Sequence, residues 1–296
     1  MSTELVWVTR EGTVTAVDPG WPGEFHSLAL SPDGTRLAVA VRRDPGVQVW
    51  VKRLDRGPAS KLTFEGINIR PTWTADGRRV AFFSSQTFDM FVGPADGSSP
   101  AQLQRDEVGR GVEAEFSRDG EWLVYRDGDV HALRTRGDSA RVDLVGLVGT
   151  PFDETTPAIS SDGRWLAYVS EESGRHEVYV RPFPNTGSAK WQVSSNGGTE
   201  PVWARSGREL YFRNARDELV SAAVLPGETF EIGEQRVLFS TVPFLADPYS
   251  QVYDVTPDGQ RFVMIRQAHA AGIPEELIVV ENFFEELKGK VKRSRD

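Results

Sequence analysis

The strongest constraint on this chain is a four-residue turn that returns along its length. Ser31-Pro32-Asp33-Gly34 is followed by Thr74-Ala75-Asp76-Gly77, Ser117-Arg118-Asp119-Gly120, Ser160-Ser161-Asp162-Gly163, Ala204-Arg205-Ser206-Gly207 and Thr256-Pro257-Asp258-Gly259. The closing glycines stand at 34, 77, 120, 163, 207 and 259, so the intervals are 43, 43, 43, 44 and 52 residues. A period in this range marks a repeat architecture, in which one supersecondary unit stacks on the next because no unit can bury its apolar face alone.

The turn has a physical logic. Ser or Thr can hydrogen-bond the backbone two residues on, Pro presets φ at the second position, and Gly takes the left-handed conformation that closes a short hairpin. The residue before each turn is Leu30, Trp73, Phe116, Ile159, Trp203 or Val255, and the residue three after each Gly is Leu37, Val80, Leu123, Leu166, Leu210 or Phe262. Both columns are apolar, as strands facing inter-layer interfaces require. A second strand pair follows in each unit: Val47 to Leu54 with Ala59 to Phe64, Phe88 to Val92 with Ala101 to Gln104, Asp129 to Leu133 with Arg141 to Leu144, Glu177 to Arg181 with Lys190 to Val193, and Glu218 to Val224 with Thr229 to Ile232. Four short strands per unit match a propeller blade, so the fold class is an all-β, six-bladed β-propeller of four-stranded antiparallel blades.

An open ring would expose a sheet edge, so the ends must close it. Leu5 to Val8 and Thr13 to Val17 look like the second half of a unit. The last unit supplies the hairpin at Thr256 to Gly259 and a further strand, Leu277 to Glu281. Residues 1–296 are therefore read as one propeller whose last blade is shared between the termini, closed by one N-terminal strand or two. Asn282 to Leu287 reads as a short helix underneath, and 288–296 as a frayed basic tail.

Composition narrows the function classes. The absence of cysteine excludes disulfides, thiolate metal sites and a cysteine nucleophile, and leaves the compartment open. A net charge of −9, from 43 acidic and 34 basic residues, argues against a general nucleic-acid binder. The opening Met1-Ser2-Thr3-Glu4 has no basic or apolar leader pattern, and the longest aliphatic run, Leu277 to Val280, falls far short of a membrane span.

The units resemble the TolB-like propeller repeat, a Pro-Asp-Gly turn followed by an aliphatic and then an aromatic-rich strand. The likeness is clearest in "SPDGTRLAVAV", "VQVWV" and "SKLTF" of the first unit, and it covers nearly the whole chain. Ser206 replaces the turn Asp in the fifth unit, the second to fourth units lack the Pro, and the fifth interval holds an insertion near Phe239 to Tyr249. The opening "LVWVTREGTV" and closing "IVVENFFEELK" resemble the C-terminal propeller of some bacterial transmembrane serine/threonine kinases. That resemblance implies a sensor or scaffold module of a larger signalling protein, held outside the cytoplasm. No phosphate loop or catalytic-loop motif of a kinase is present.

In a propeller the connections between blades, and those between second and third strands, share one face, where binding loops gather around the channel. The candidate mouth residues are His26, Arg70, Arg110, Glu154, Glu200 and Tyr249, whose charge and aromatic character suit a protein or peptide partner. The expectation is a monomer with no cofactor, no catalytic residue and no membrane insertion. The competing reading is a metal-assisted lyase or hydrolase using His26, His176 and His269, which map to the same face. Its weakness is that these histidines lack the close spacing of metal-ligand pairs. A serine hydrolase is disfavoured because no Gly-x-Ser-x-Gly elbow occurs.

Overall fold

A computed structural model describes residues 2–55, 57–104, 111–135 and 144–267 of the chain. In chain order the strands are β1 (Thr3–Thr9), β2 (Val14–Ala16), β3 (Glu24–Leu30), β4 (Arg36–Arg43), β5 (Gly46–Arg53) and β6 (Ala59–Lys61). Next come β7 (Asn68–Trp73), β8 (Arg79–Ser84), β9 (Met90–Pro94), β10 (Gln102–Leu103), β11 (Glu113–Phe116) and β12 (Trp122–Arg126). They continue with β13 (Val130–Arg134), β14 (Leu144–Val148), β15 (Glu154–Ile159), β16 (Trp165–Ser170), β17 (Glu177–Pro182) and β18 (Trp191–Gln192). The last are β19 (Gly198–Trp203), β20 (Glu209–Asn214), β21 (Glu218–Val224), β22 (Ile232–Ser240), β23 (Tyr253–Val255) and β24 (Arg261–Gln267). They form six four-stranded antiparallel sheets, each a blade.

Five blades take four consecutive strands, and the sixth has the order β2-β1-β24-β23. The N-terminus therefore contributes two strands, which answers the question the sequence leaves open. β1 runs antiparallel to β24 in an unbroken register from Thr3↔Gln267 to Thr9↔Arg261. The strand read at Leu277 to Glu281, the helix at Asn282 to Leu287 and the tail lie outside the described residues.

The two apolar columns do what hairpins in stacked layers require. Among the described residues there are six buried apolar clusters, one per blade interface. Val49, Val51, Trp73 and Phe82 fill the first, and Val6, Val8, Tyr211, Leu219 and Phe262 fill the one between blades five and six. Equivalent tryptophans on first strands also bridge backward, Trp73 Nε1 donating to Ala29 O (2.9 Å) and Trp203 Nε1 to Ala158 O (3.1 Å).

The turns close as expected but with the side-chain roles divided differently. Each closing Gly has φ between +64° and +72°. It is the Asp carboxylate that accepts the backbone N–H two residues on, as Asp33 does from Thr35 (3.0 Å) and Asp76 from Arg78 (2.9 Å). The Ser or Thr hydroxyl donates to that carboxylate and accepts the N–H five residues on, as Thr74 does from Arg79 (3.1 Å). The hydroxyl bond is the chief cause that holds the Asp76 and Asp258 carboxyls below their ordinary value. In the fifth turn Ser206 accepts from the Arg208 N–H (3.2 Å) in place of a carboxylate.

Outer strands differ most from expectation. The third unit's runs on from Leu144 to Val148, with residues 141–143 of the expected span outside the described residues, and the fifth's starts at Ile232, where the sequence alone suggests it ends. Most of β22 is solvent-exposed, so it carries no alternation of apolar and polar residues by which to locate it. Part of the extra length in the fifth interval is thus strand, and the rest is the loop 241–252.

Candidate functional site: the loop-face mouth of the channel

First strands line the channel, and the position seven residues before each closing glycine holds Ser27, Arg70, Glu113, Thr156, Glu200 or Val252. In blades two, four and five a bulge at this point puts a non-glycine residue in the left-handed region: Arg70 (φ 53°), Thr156 (φ 48°) and Glu200 (φ 53°). Such a conformation costs about 1–3 kcal/mol, most for a β-branched residue, and persists only where the surroundings over-determine it. Here they do so by latching each blade to the next. Ser27 Oγ accepts the Arg70 N–H (3.0 Å), Glu113 Oε1 the Thr156 N–H (2.8 Å), and Glu200 Oε2 the Val252 N–H (3.2 Å).

Two residues further along, the pattern repeats deeper in the channel. Glu115 Oε2 accepts the Ile159 N–H (3.0 Å), and Asp254 Oδ2 accepts the Leu30 N–H (2.8 Å). Burial pushes both carboxyls up, Glu115 to about 7, and the Asp254 charge adds to the rise at Glu115. Folding lifts Glu115 above its unfolded value of 4.5, so the folded state holds an extra proton between pH 4.5 and about 7. Stability therefore falls as pH rises through that window. Glu115→Gln keeps the acceptor for Ile159 and removes the charge. It is expected to raise Tm by about 3 °C at alkaline pH and to change it little near pH 5, read by calorimetry. A gain equal at both pH values would show that Glu115 ionises in the channel without penalty.

Glu115, Ala29 and Thr72 form a neck between two cavities of about 100 Å³ each. The lower one opens toward the turn face beside Arg118 and Arg205. The upper one lies at the loop face, where blades one to four and the residues leading into β23 all contribute, among them Leu28, Arg70, Glu113, Thr156 and Gln251. Loop 241–252 folds over this mouth. Leu245 N–H donates to Ile265 O (2.7 Å), while Arg213 Nη2 donates to Leu245 O (2.6 Å), Thr155 Oγ1 to Pro248 O (3.2 Å) and Arg126 Nη2 to Tyr249 O (3.4 Å).

The candidate mouth residues divide by what their side chains are free to do. Arg70 lines the upper cavity. Tyr249, 45% exposed, stands on the covering loop with its ring edge-on to His176 at 5.8 Å. His26, half-buried, accepts from Arg42 Nε (3.2 Å) beside Glu24, and burial followed by the Arg42 charge lowers its pKa. Glu154 is fully buried and accepts from the Thr150 hydroxyl and N–H. Glu200 is fully buried too, its Oε1 3.1 Å from Arg213 Nε and accepting the Asp247 N–H (3.2 Å). Both carboxylates are spent inside the protein. Arg110 lies outside the described residues.

The histidines of the metal reading do not come together. His26 belongs to blade one and His176 to blade four, across the ring, with His176 Nε2 3.1 Å from Glu171. His269 lies outside the described residues, and among those described no three His, Asp or Glu side chains are placed to hold a metal ion. Glu113, Glu115, Thr156 and Gln251 do not stand out in the sequence. Aligning the units on their glycines exposes a polar column at position −7, which would have found the first and third.

A larger groove, about 710 Å³, runs between blades one and two on the outer flank, lined by Leu62, Phe64, Phe82, Phe91 and Pro100. Volume favours this groove, but the polar groups of several blades converge on the channel.

The same architecture occurs in solved structures. A putative TolB from Agrobacterium tumefaciens superimposes with a TM-score of 0.65 at 19% identity, covering 91% of this chain and 99% of that one. The chain shares the propeller fold of that TolB structure. TolB from Acinetobacter baumannii matches with a TM-score of 0.57 at 15% identity over 90% of this chain and 64% of its own. A chain of a nidogen/laminin complex matches with a TM-score of 0.56 at 10% identity over 90% and 98%. No protein-family model and no curated protein matches the sequence. At these identities the likeness of the chain to its neighbours is one of fold.

Proposed function

We propose that this TolB-like propeller is a non-catalytic module that binds a protein or peptide on its loop face, as the sensor or scaffold part of a larger signalling protein. The observation that carries the reading is the convergence of side chains from several blades on one mouth, with the exposed ring of Tyr249 on the covering loop and that of Phe152 (46% exposed) on the connection between β14 and β15, at the same face. Rigid blades hold these loops in place, which keeps the ordering cost of association low. Aromatic side chains at a polar rim are the usual anchors of protein contacts.

Site-specific photo-crosslinking in the native host tests the face. A benzoylphenylalanine at position 249 or 152 is expected to capture a discrete partner, and one at turn position 33 or 258 to capture none. Adducts from the turn positions alone would overturn the reading. Glu200 is unsuitable for such a test, since a photo-reactive aromatic there removes the partner of a buried arginine.

A further inference from the structure

The upper channel cavity contains two groups whose chemistry the protein does not use up. Arg70 donates Nη1–H to Val112 O (2.8 Å) and, among the described residues, has no carboxylate within ion-pair distance. The carboxylates whose charge it feels are committed elsewhere. Glu113 Oε1 takes both Arg126 Nε (2.6 Å) and the Thr156 N–H, and Asp247, on the covering loop, takes the Tyr249 N–H (2.9 Å). Burial is the main cause that lowers the Arg70 pKa, the mark of a cation short of counter-charge, and a guanidinium stays protonated nonetheless. Thr156 lines the same cavity, is 3% exposed, and its buried hydroxyl has no protein partner.

A buried hydroxyl left unpaired costs about 1–3 kcal/mol, and ordinary core packing supplies no reason for it. A guanidinium with N–H groups to spare and an unpaired hydroxyl, both lining one small cavity, suit a ligand with two acceptor oxygens on one carbon, the geometry that makes arginine the common receptor for carboxylates. The neck at Glu115 and the loop over the mouth confine the space to about 100 Å³, room for a small head group and not for a folded segment.

We propose that this cavity is a carboxylate-binding site, with the ligand held between the Arg70 guanidinium and the Thr156 hydroxyl. The proposal rests on the loop-face reading only for the choice of face. It deepens that reading by naming the chemical group recognised, the carboxylate of a small organic acid or the free carboxyl end of a polypeptide.

Titration calorimetry on the full chain uses four probes: acetate, succinate, trialanine, and trialanine amide. Succinate or trialanine is expected to bind in the millimolar range or tighter, and the amide to fail. Trialanine tighter than succinate by about tenfold identifies a polypeptide end, and the reverse order a small organic acid. Arg70→Met is expected to weaken binding about 30-fold, Arg70→Lys less because it keeps the charge without the fork, and Thr156→Val about fivefold. Melting temperatures that are not lowered in the Lys variant and are equal or raised in the Val variant show that the loss belongs to the site. No binding of any carboxylate, equal binding of the amide, or full affinity in Arg70→Met overturns the proposal. Cross-linking from positions 249 and 152 would persist in that event, so failure of the carboxylate site is distinguishable from failure of the loop-face reading.

Discussion

Removal of residues 1–17 is expected to abolish cooperative unfolding and drive the chain into aggregates. β1 lies between β2 and β24, with Leu5 facing the cluster shared with blade one, and Val6 and Val8 facing that shared with blade five. Val6 and Val8 are completely buried and Leu5 nearly so. Burying each such side chain contributes about 1.5–3 kcal/mol, so their loss approaches ~6 kcal/mol before any backbone bond is counted. A whole domain is stable by only about 5–15 kcal/mol. The truncation also bares β24, whose Phe262, Val263, Met264 and Ile265 are all fully buried, as an exposed apolar edge. Calorimetry and size-exclusion chromatography read the loss. A peptide spanning residues 1–17, added in trans, should restore a single melting transition, because the closure is non-covalent. A truncated chain that melts like the full one would show that the ring does not depend on its N-terminal strands.

Glu200→Ala is expected to cost about 3–5 kcal/mol in urea denaturation, because it leaves the Arg213 guanidinium, 4% exposed, without its buried partner. The same change removes the acceptor of the Asp247 and Val252 N–H groups, which tie down the middle and the end of the segment over the mouth. Limited proteolysis should therefore cut the variant within 241–252 while sparing the blades. Glu200→Gln keeps an acceptor and should cost less. Burial raises the Glu200 pKa to about 7 against the pull of Arg213, so neutralising it is cheaper than deleting it. A Glu200→Ala protein within about 1 kcal/mol of the wild type would mean that the pair is solvated and does not organise the mouth.

How much of the fold is legible in the sequence depends on the range over which each feature is specified. The Asp-Gly turn is local, set by a left-handed glycine and by side-chain bonds spanning two to five residues, so it can be read position by position. The apolar columns at −4 and +3 from the repeat register are legible for the same reason, and they coincide with the clusters seen between blades. Outer strands such as β14 and β22 are not, because a strand exposed at the rim needs no apolar alternation.

The candidate site divides along the same line. Arg70 and Glu200 attract notice as charged residues near a blade connection, and both lie in the polar column, yet one faces a cavity and the other is sealed within the protein. Their roles depend on what the next blade and the inserted loop place opposite them. The unpaired hydroxyl of Thr156 is invisible in sequence, since being unpartnered is a property of surroundings drawn from four or five units.

By itself the amino-acid order determined the number of units, the position of the first hairpin in each and the sharing of one blade between the N-terminal strands and the last unit, because periodic turn chemistry and strand alternation act over a few residues. Only the tertiary structure decided that the N-terminus adds two strands, that the fifth connection crosses the mouth, and which polar groups meet in the channel. Those outcomes depend on contacts between residues 43 to more than 200 positions apart, as with Thr156 on Glu113 and Leu30 on Asp254. No local pattern encodes such distances, since closure of the ring is what brings the partners together.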